Sequence, residues 1–124
     1  MKSCYRYDHQ NDTWTNFTQL NHPRDFFASS LLSNDEWWLT GGEISELSTD
    51  LLVSGNTFMI ESVQLPERMR YHTMIRVNET SVVFVGNDYY STNTYIYDKT
   101  SQSFTELPSL SQGRYWPQAG KVYV

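Results

Sequence analysis

The apolar residues of this chain fall into short runs separated by clusters of Asn, Asp, Ser, Thr and Gly, the punctuation of β-strands and turns. β-Prone runs at 26–32 and 71–77 end at the polar turns "SND" and "NET". Each turn leads into a run with no polar alternation, "WWLTGG" or "VVFVG", as in a strand covered on both faces. The loops "GEISELST" (42–49) and "NDYYSTN" (87–93) come next, and each precedes two further strands joined by a turn rich in Asn, Asp, Ser and Gly. The unit is thus four strands long. Within the first loop, Ile44, Leu47 and Leu51 have the spacing of a helix face, which predicts one or two helical turns.

The unit is written more than once. A shift of 45 residues lays "EWWLTGG" (36–42) on "SVVFVGN" (81–87), and a shift of 44 lays "DLLVSGNTFMIES" (50–62) on "TYIYDKTSQSFTE" (94–106). A third copy of the second half opens the chain, where "YDHQNDTW" (7–14) matches "YDKTSQSF" (97–104). Arg24, Arg70 and Arg114 close the units, which gives boundaries at 1–24, 25–69, 70–113 and 114–124. A four-stranded antiparallel meander repeated at this spacing is a propeller blade. The fold class expected is all-β, with strands at 5–8 and 13–17, two full blades, and one strand within 115–124. That is about eleven strands, too few for a closed ring of at least about four blades. The expectation is an incomplete propeller of two to three blades, a fragment whose end faces around Trp37 and Val83 drive self-association or await further blades.

The order Arg, apolar strand, bulky run ending in Gly41-Gly42, then Tyr97-Asp98 with Phe104 and Leu107-Pro108, resembles the kelch repeat of the galactose-oxidase-like propellers. The resemblance gives structural roles to Trp14, Trp37, Trp38, Gly41, Gly42, Gly86, Tyr97, Asp98 and Phe104. Trp37 and Trp38 are expected to pack between blades, the glycines to permit close strand approach, and Asp8 and Asp98 to cap their own turns. Two departures stand out. Asn87 replaces the second glycine and is expected to keep the turn by adopting a left-handed backbone, while Val53-Ser54 stands in the place of Tyr-Asp and Ser54-Gly55-Asn56 supplies other turn chemistry.

Composition narrows the function classes. Aromatics are 15% of the residues, which favours strands, and nine basic against fourteen acidic residues give a net charge of -5, which repels nucleic acid. Cys4 is the only cysteine, so neither an intrachain disulfide nor a thiolate metal cluster is expected. The opening residues, with no apolar run behind Lys2, are not expected to be a signal peptide, and no apolar run is long enough to span a bilayer. The sequons at Asn11, Asn16 and Asn78 suit an extracellular protein and the unpaired cysteine suits the cytosol, so both compartments stay open.

The chain contains no hydrolase, zinc-protease or phosphate-loop motif, so no catalytic residue, metal or cofactor is expected. The reading is a non-enzymatic protein-interaction module. In an up-and-down blade the connections after the second and fourth strands share one face, where the longest loops sit. Arg24, Glu43, Glu46, Arg68, Arg70, Asp88, Tyr89, Tyr90 and Arg114 are the candidate partner-binding residues there. The alternative implied by the resemblance is a piece of a copper radical oxidase using Tyr71, His72 and Cys4, with His9 and His22 elsewhere in the chain.

Overall fold

The computed structural model describes residues 2–53, 57–60, 63–87, 91–114, 116–120 and 122, and the regular structure among them is all β. Among the described residues, ten strands form three antiparallel sheets. Strands β1 (Ser3–Asp8) and β2 (Thr13–Gln19) make a hairpin. Strands β3 (Ala28–Ser33), β4 (Glu36–Thr40), β5 (Thr49–Val53) and β6 (Thr57–Ile60) pair in chain order as one four-stranded meander. Strands β7 (Thr73–Arg76), β8 (Ser81–Val85), β9 (Thr94–Asp98) and β10 (Ser103–Leu107) make a second. No described helix is long and apolar enough to cross a membrane.

Of the segment 115–124, in which one strand was expected, residues 116–120 and 122 carry none, and 115, 121, 123 and 124 lie outside the described residues. One expectation is corrected: the 42–49 loop is a bend and a turn with no helix. In that loop Ser45 N donates to Gly42 O and Ser48 N to Ser45 O, so the chain turns without propagating a helix. Ile44 and Leu47 are consequently exposed, while Leu51, the third member of the supposed stripe, is buried in β5. The turn at 54–56 lies outside the described residues.

The repeat seen in the sequence is present in the hydrogen bonding. Tyr7 pairs with Trp14 across β1–β2, and Tyr97 with Phe104 across β9–β10. Asp8 Oδ1 accepts from Gln10 N at 2.9 Å and Asp98 Oδ1 from Thr100 N at 2.8 Å, each carboxylate capping its own turn. Asp12 and Gln102 both close these turns in the left-handed region, at φ 52° and 53°.

Alternation along β4 organises the packing, because successive side chains of a strand leave on opposite faces. On one face, Trp38 is 0% exposed and meets Phe84, Tyr97 and Phe104 of the β7–β10 sheet at ring separations of 4.7 to 6.4 Å. Ala28, Leu32, Met74 and Val82 complete this core, and Leu65 and Met69 from the connecting segment close it. On the other face, Leu39 and Leu52 pack against Leu20 and Cys4 beside the β1–β2 hairpin. The β3–β6 sheet is therefore the middle of three layers.

The two glycine positions that differ between units are resolved by two different devices. A Cβ at Gly42, where φ is 107°, would lie 2.5 Å from Asp25 O. Asn87 does not adopt a left-handed backbone, contrary to expectation. Its side chain instead ties down the linker, with Oδ1 accepting from Arg70 N at 3.0 Å and Nδ2 donating to Arg68 O at 2.6 Å.

Candidate functional site

The connections entering β3 and β7, the 41–48 loop and the described residues after β8 and β10 are laced together at one end of the molecule. Glu43 N donates to Asp25 O, Gly42 N to Met69 O, Tyr71 N to Phe26 O, and Arg114 N to Ser91 O. Ser45 Oγ donates to Pro23 O at 2.8 Å. These bonds satisfy backbone groups that would otherwise be stranded in loops, and they fix the loop surface in place.

On that surface sit Phe26, Tyr71 and Trp116, one 45-residue period apart. All three are in the left-handed region, at φ 50°, 56° and 58°. A bulky L-residue there costs roughly 1–2 kcal/mol, so the conformation persists only because the surroundings impose it. The rings touch in a triangle, with Phe26–Tyr71 at 4.6 Å, Tyr71–Trp116 at 5.1 Å and Phe26–Trp116 at 5.6 Å. Phe26 and Trp116 are exposed, and the Arg70 guanidinium lies 5.6 Å above the Tyr71 ring.

Charged pairs border the triangle. Arg70 Nη1 donates to Glu43 Oε1 at 3.1 Å, and Arg68 Nη1 to Glu46 Oε2 at 3.5 Å, with the Arg68 side chain largely in water. Both pairs are of the weak, solvent-screened kind. The Glu46–Arg68 pair borders a shallow depression also lined by His22, Ile44 and Leu47. Arg114 is also exposed at this end. Asp88, Tyr89 and Tyr90 lie outside the described residues.

Arg24, expected among the partner-facing residues, is interior. Its Nε donates to Asp50 Oδ2 at 2.8 Å, Nη1 to the carbonyl oxygens of Gly41 and Ser48, and Nη2 to Ser48 Oγ at 3.1 Å. Burial pulls its pKa down and the Asp50 carboxylate pushes it back up. Asp50 also accepts from His22 N at 3.3 Å. Arg24 thus clamps the 41–48 loop from inside, and a buried ion pair of this kind fixes geometry more than it adds stability.

His72 is buried beneath the same end. Its Nε2 is 2.9 Å from Thr40 Oγ1 and its ring stacks on Phe84. Burial, seconded by the positive charge of Arg24, lowers its pKa to about 4, so the imidazole is neutral at physiological pH. Tyr71, His72 and Cys4 are not brought together: Cys4 packs with Leu39 on one face of the middle sheet, and His72 meets Thr40 on the other. His9 is exposed in the β1–β2 turn.

The residues given structural roles divide. Trp38, Tyr97, Phe104, Gly41, Gly42 and Gly86 lie in or beside the contacts between layers, and Asp98 caps its turn. Trp37 is 50% exposed on the opposite face from Trp38, and Trp14 is 69% exposed, so neither is wedged between sheets. All three sequon asparagines are exposed, and Asn78 Oδ1 accepts from Thr80 N at 2.9 Å in its turn. Compared with known families and with curated proteins, the chain matches no family model and no curated protein.

Sequence reasoning missed Phe26 and Trp116. The signal was available as an aromatic recurring at 26, 71 and 116. It was masked by the nearby arginines at 24, 70 and 114, whose spacing is uneven and whose side chains have unlike environments.

Proposed function

We propose that the two meanders and the hairpin are kelch-type propeller blades, and that the chain is a non-enzymatic module engaging a protein partner through the end bearing Phe26, Tyr71 and Trp116. The observation that carries this reading is the exposed aromatic triangle held on three left-handed residues. Strain repeated at equivalent positions is retained where it serves an interaction, and clustered aromatics beside arginine are the usual centre of a binding hot spot. The Glu43–Arg70 and Glu46–Arg68 pairs supply a polar border able to orient the partner.

Cross-linked affinity capture from the cells that make the protein tests it. A partner retained by the wild type and by Trp14→Ser, but lost with Trp116→Ser and with Arg70→Glu, is the expected outcome. Equal capture by all four removes the triangle from the interface. Stoichiometric copper uptake with release of peroxide from a primary alcohol, abolished by His72→Ala, would replace this reading with the copper oxidase alternative.

A further inference from the structure

The three Asn-x-Thr triplets, which the reading of the loop face leaves unused, are placed by the fold in three different settings. All three asparagines are exposed, whereas of the other described asparagines only Asn34 is. Asn16-Phe17-Thr18 lies inside β2, where Asn16 pairs with Tyr5 and Thr18 with Cys4. Residues two apart on an extended strand are separated by roughly 7 Å, so the Thr18 hydroxyl and the Asn16 amide stand apart. Asn11-Asp12-Thr13 occupies the β1–β2 turn. Asn11 Nδ2 donates to Asp8 Oδ2 at 2.7 Å, and Asp12 is left-handed at φ 52°.

Asn78-Glu79-Thr80 forms the turn between β7 and β8 and is built differently. Asn78 Oδ1 accepts from Thr80 N at 2.9 Å and from Thr80 Oγ1 at 3.2 Å, so the triplet's own hydroxyl meets its own amide. The turn is held from behind: Arg76 Nε donates to Asn78 O at 3.0 Å, and Arg76 Nη1 donates to Asn34 Oδ1 at 3.2 Å. Val77 N donates to Ser81 O at 3.0 Å and closes it, while residues 78–80 are all exposed.

We propose that Asn78 is an N-glycosylation site, and that the bond between its amide and Thr80 makes it a better acceptor than Asn11 or Asn16. The co-substrate is an oligosaccharide joined to a lipid diphosphate. Asn78 Nδ2 bonds to the anomeric carbon while the bond from that carbon to the diphosphate oxygen breaks. The diphosphate leaves with the electron pair, and one amide proton passes to a base of the transferase. An amide nitrogen is a poor nucleophile because its lone pair is shared with the carbonyl. Hydrogen bonds to Oδ1 favour the form in which negative charge gathers on that oxygen, so Thr80 eases loss of the proton. The acceptor needs only the β7–β8 hairpin, whose pairing is local in the chain.

The fold also leaves room for the glycan. Asn78 precedes β8 and Asn87 follows it, and five strand residues separate the two ends by roughly 17 Å. Asn87 is tied to Arg70 beside the aromatic triangle, so a glycan on Asn78 stands at the opposite end of the sheet. The site is therefore independent of any partner bound at the triangle. It takes the extracellular of the two compartments.

The test uses the protein isolated from the cells that make it and from their medium. Its N-glycans are released by an amidase in heavy-oxygen water, which converts each glycosylated asparagine to aspartate carrying the label, and peptide mass spectrometry locates it. Label at residue 78, several-fold above that at 11 and 16, is the expected result. Thr80→Ala is expected to abolish the label at 78, and Thr80→Ser, which keeps a hydroxyl, to retain it. Both changes fall on an exposed residue, so the melting temperatures of the two deglycosylated variants are expected to agree with that of the wild type. No label at Asn78, or label spread equally over the three asparagines, overturns the inference.

Discussion

Trp37 and Trp38 are neighbours on one strand with the same side chain and opposite circumstances. Trp38 faces the β7–β10 sheet and is 0% exposed, whereas Trp37 faces the hairpin layer and is 50% exposed. The difference comes from what lies opposite. A four-stranded sheet covers the first face from its inner strands outward, while a two-stranded hairpin covers only part of the second. The same contrast separates Tyr97, 3% exposed, from its equivalent Tyr7, 44% exposed. Local sequence sets the shape of each hairpin, and the neighbouring layer decides which aromatic contributes to stability.

The largest expected effect is on the covered face. Trp38→Ala removes a ring in contact with three others and is expected to cost about 3–5 kcal/mol by chemical denaturation. A loss below about 1 kcal/mol would break the comparison by showing that the inner face is not the core.

His72, on the same face, adds a pH dependence. The unfolded chain protonates it near 6.5, but burial keeps the folded state neutral down to about 4. The unfolded state takes up the proton first, so its contribution is full above about pH 6.5 and falls as the pH drops toward 4. Its size is on the order of 3 kcal/mol across that window. The stability slope between these values, followed by denaturant titration, is expected to flatten in His72→Gln, which keeps a hydrogen-bonding partner for Thr40. An unchanged slope would place the titrating group elsewhere.

The smallest expected effect sharpens the comparison from the other side. Trp37→Ala is expected to cost under about 1 kcal/mol, the usual range for a surface substitution. A cost equal to that of Trp38→Ala would mean that both faces are closed in solution.

The all-β class and the register of the repeat were legible because turn residues and Tyr-Asp pairs act locally: Asp8 and Asp98 cap within two residues of themselves. The fate of long polar side chains was not. Arg24, Arg70 and Arg114 read alike, yet Arg24 finds Asp50 inside the fold, Arg70 pairs with Glu43 at the surface, and Arg114 is exposed. Those outcomes depend on carboxylates and carbonyls 17 to 27 residues away in the chain. The helix-like spacing of Ile44, Leu47 and Leu51 misled for a related reason, since Leu51 belongs to a strand whose pairing with Trp38 outweighs a short helical period.

The unlike devices at positions 42 and 87 make the tandem units unequal hosts for one another's residue. An asparagine at position 42 would set its Cβ 2.5 Å from Asp25 O, in a backbone conformation suited to glycine, so the exchange is closed in that direction. A glycine at position 87 would forfeit the side-chain bonds to Arg70 N, Arg68 O and Glu67 Oε1, and the linker before β7 would lose its tie to the end of β8. Positions that are equivalent in the repeat are therefore not interchangeable in the fold.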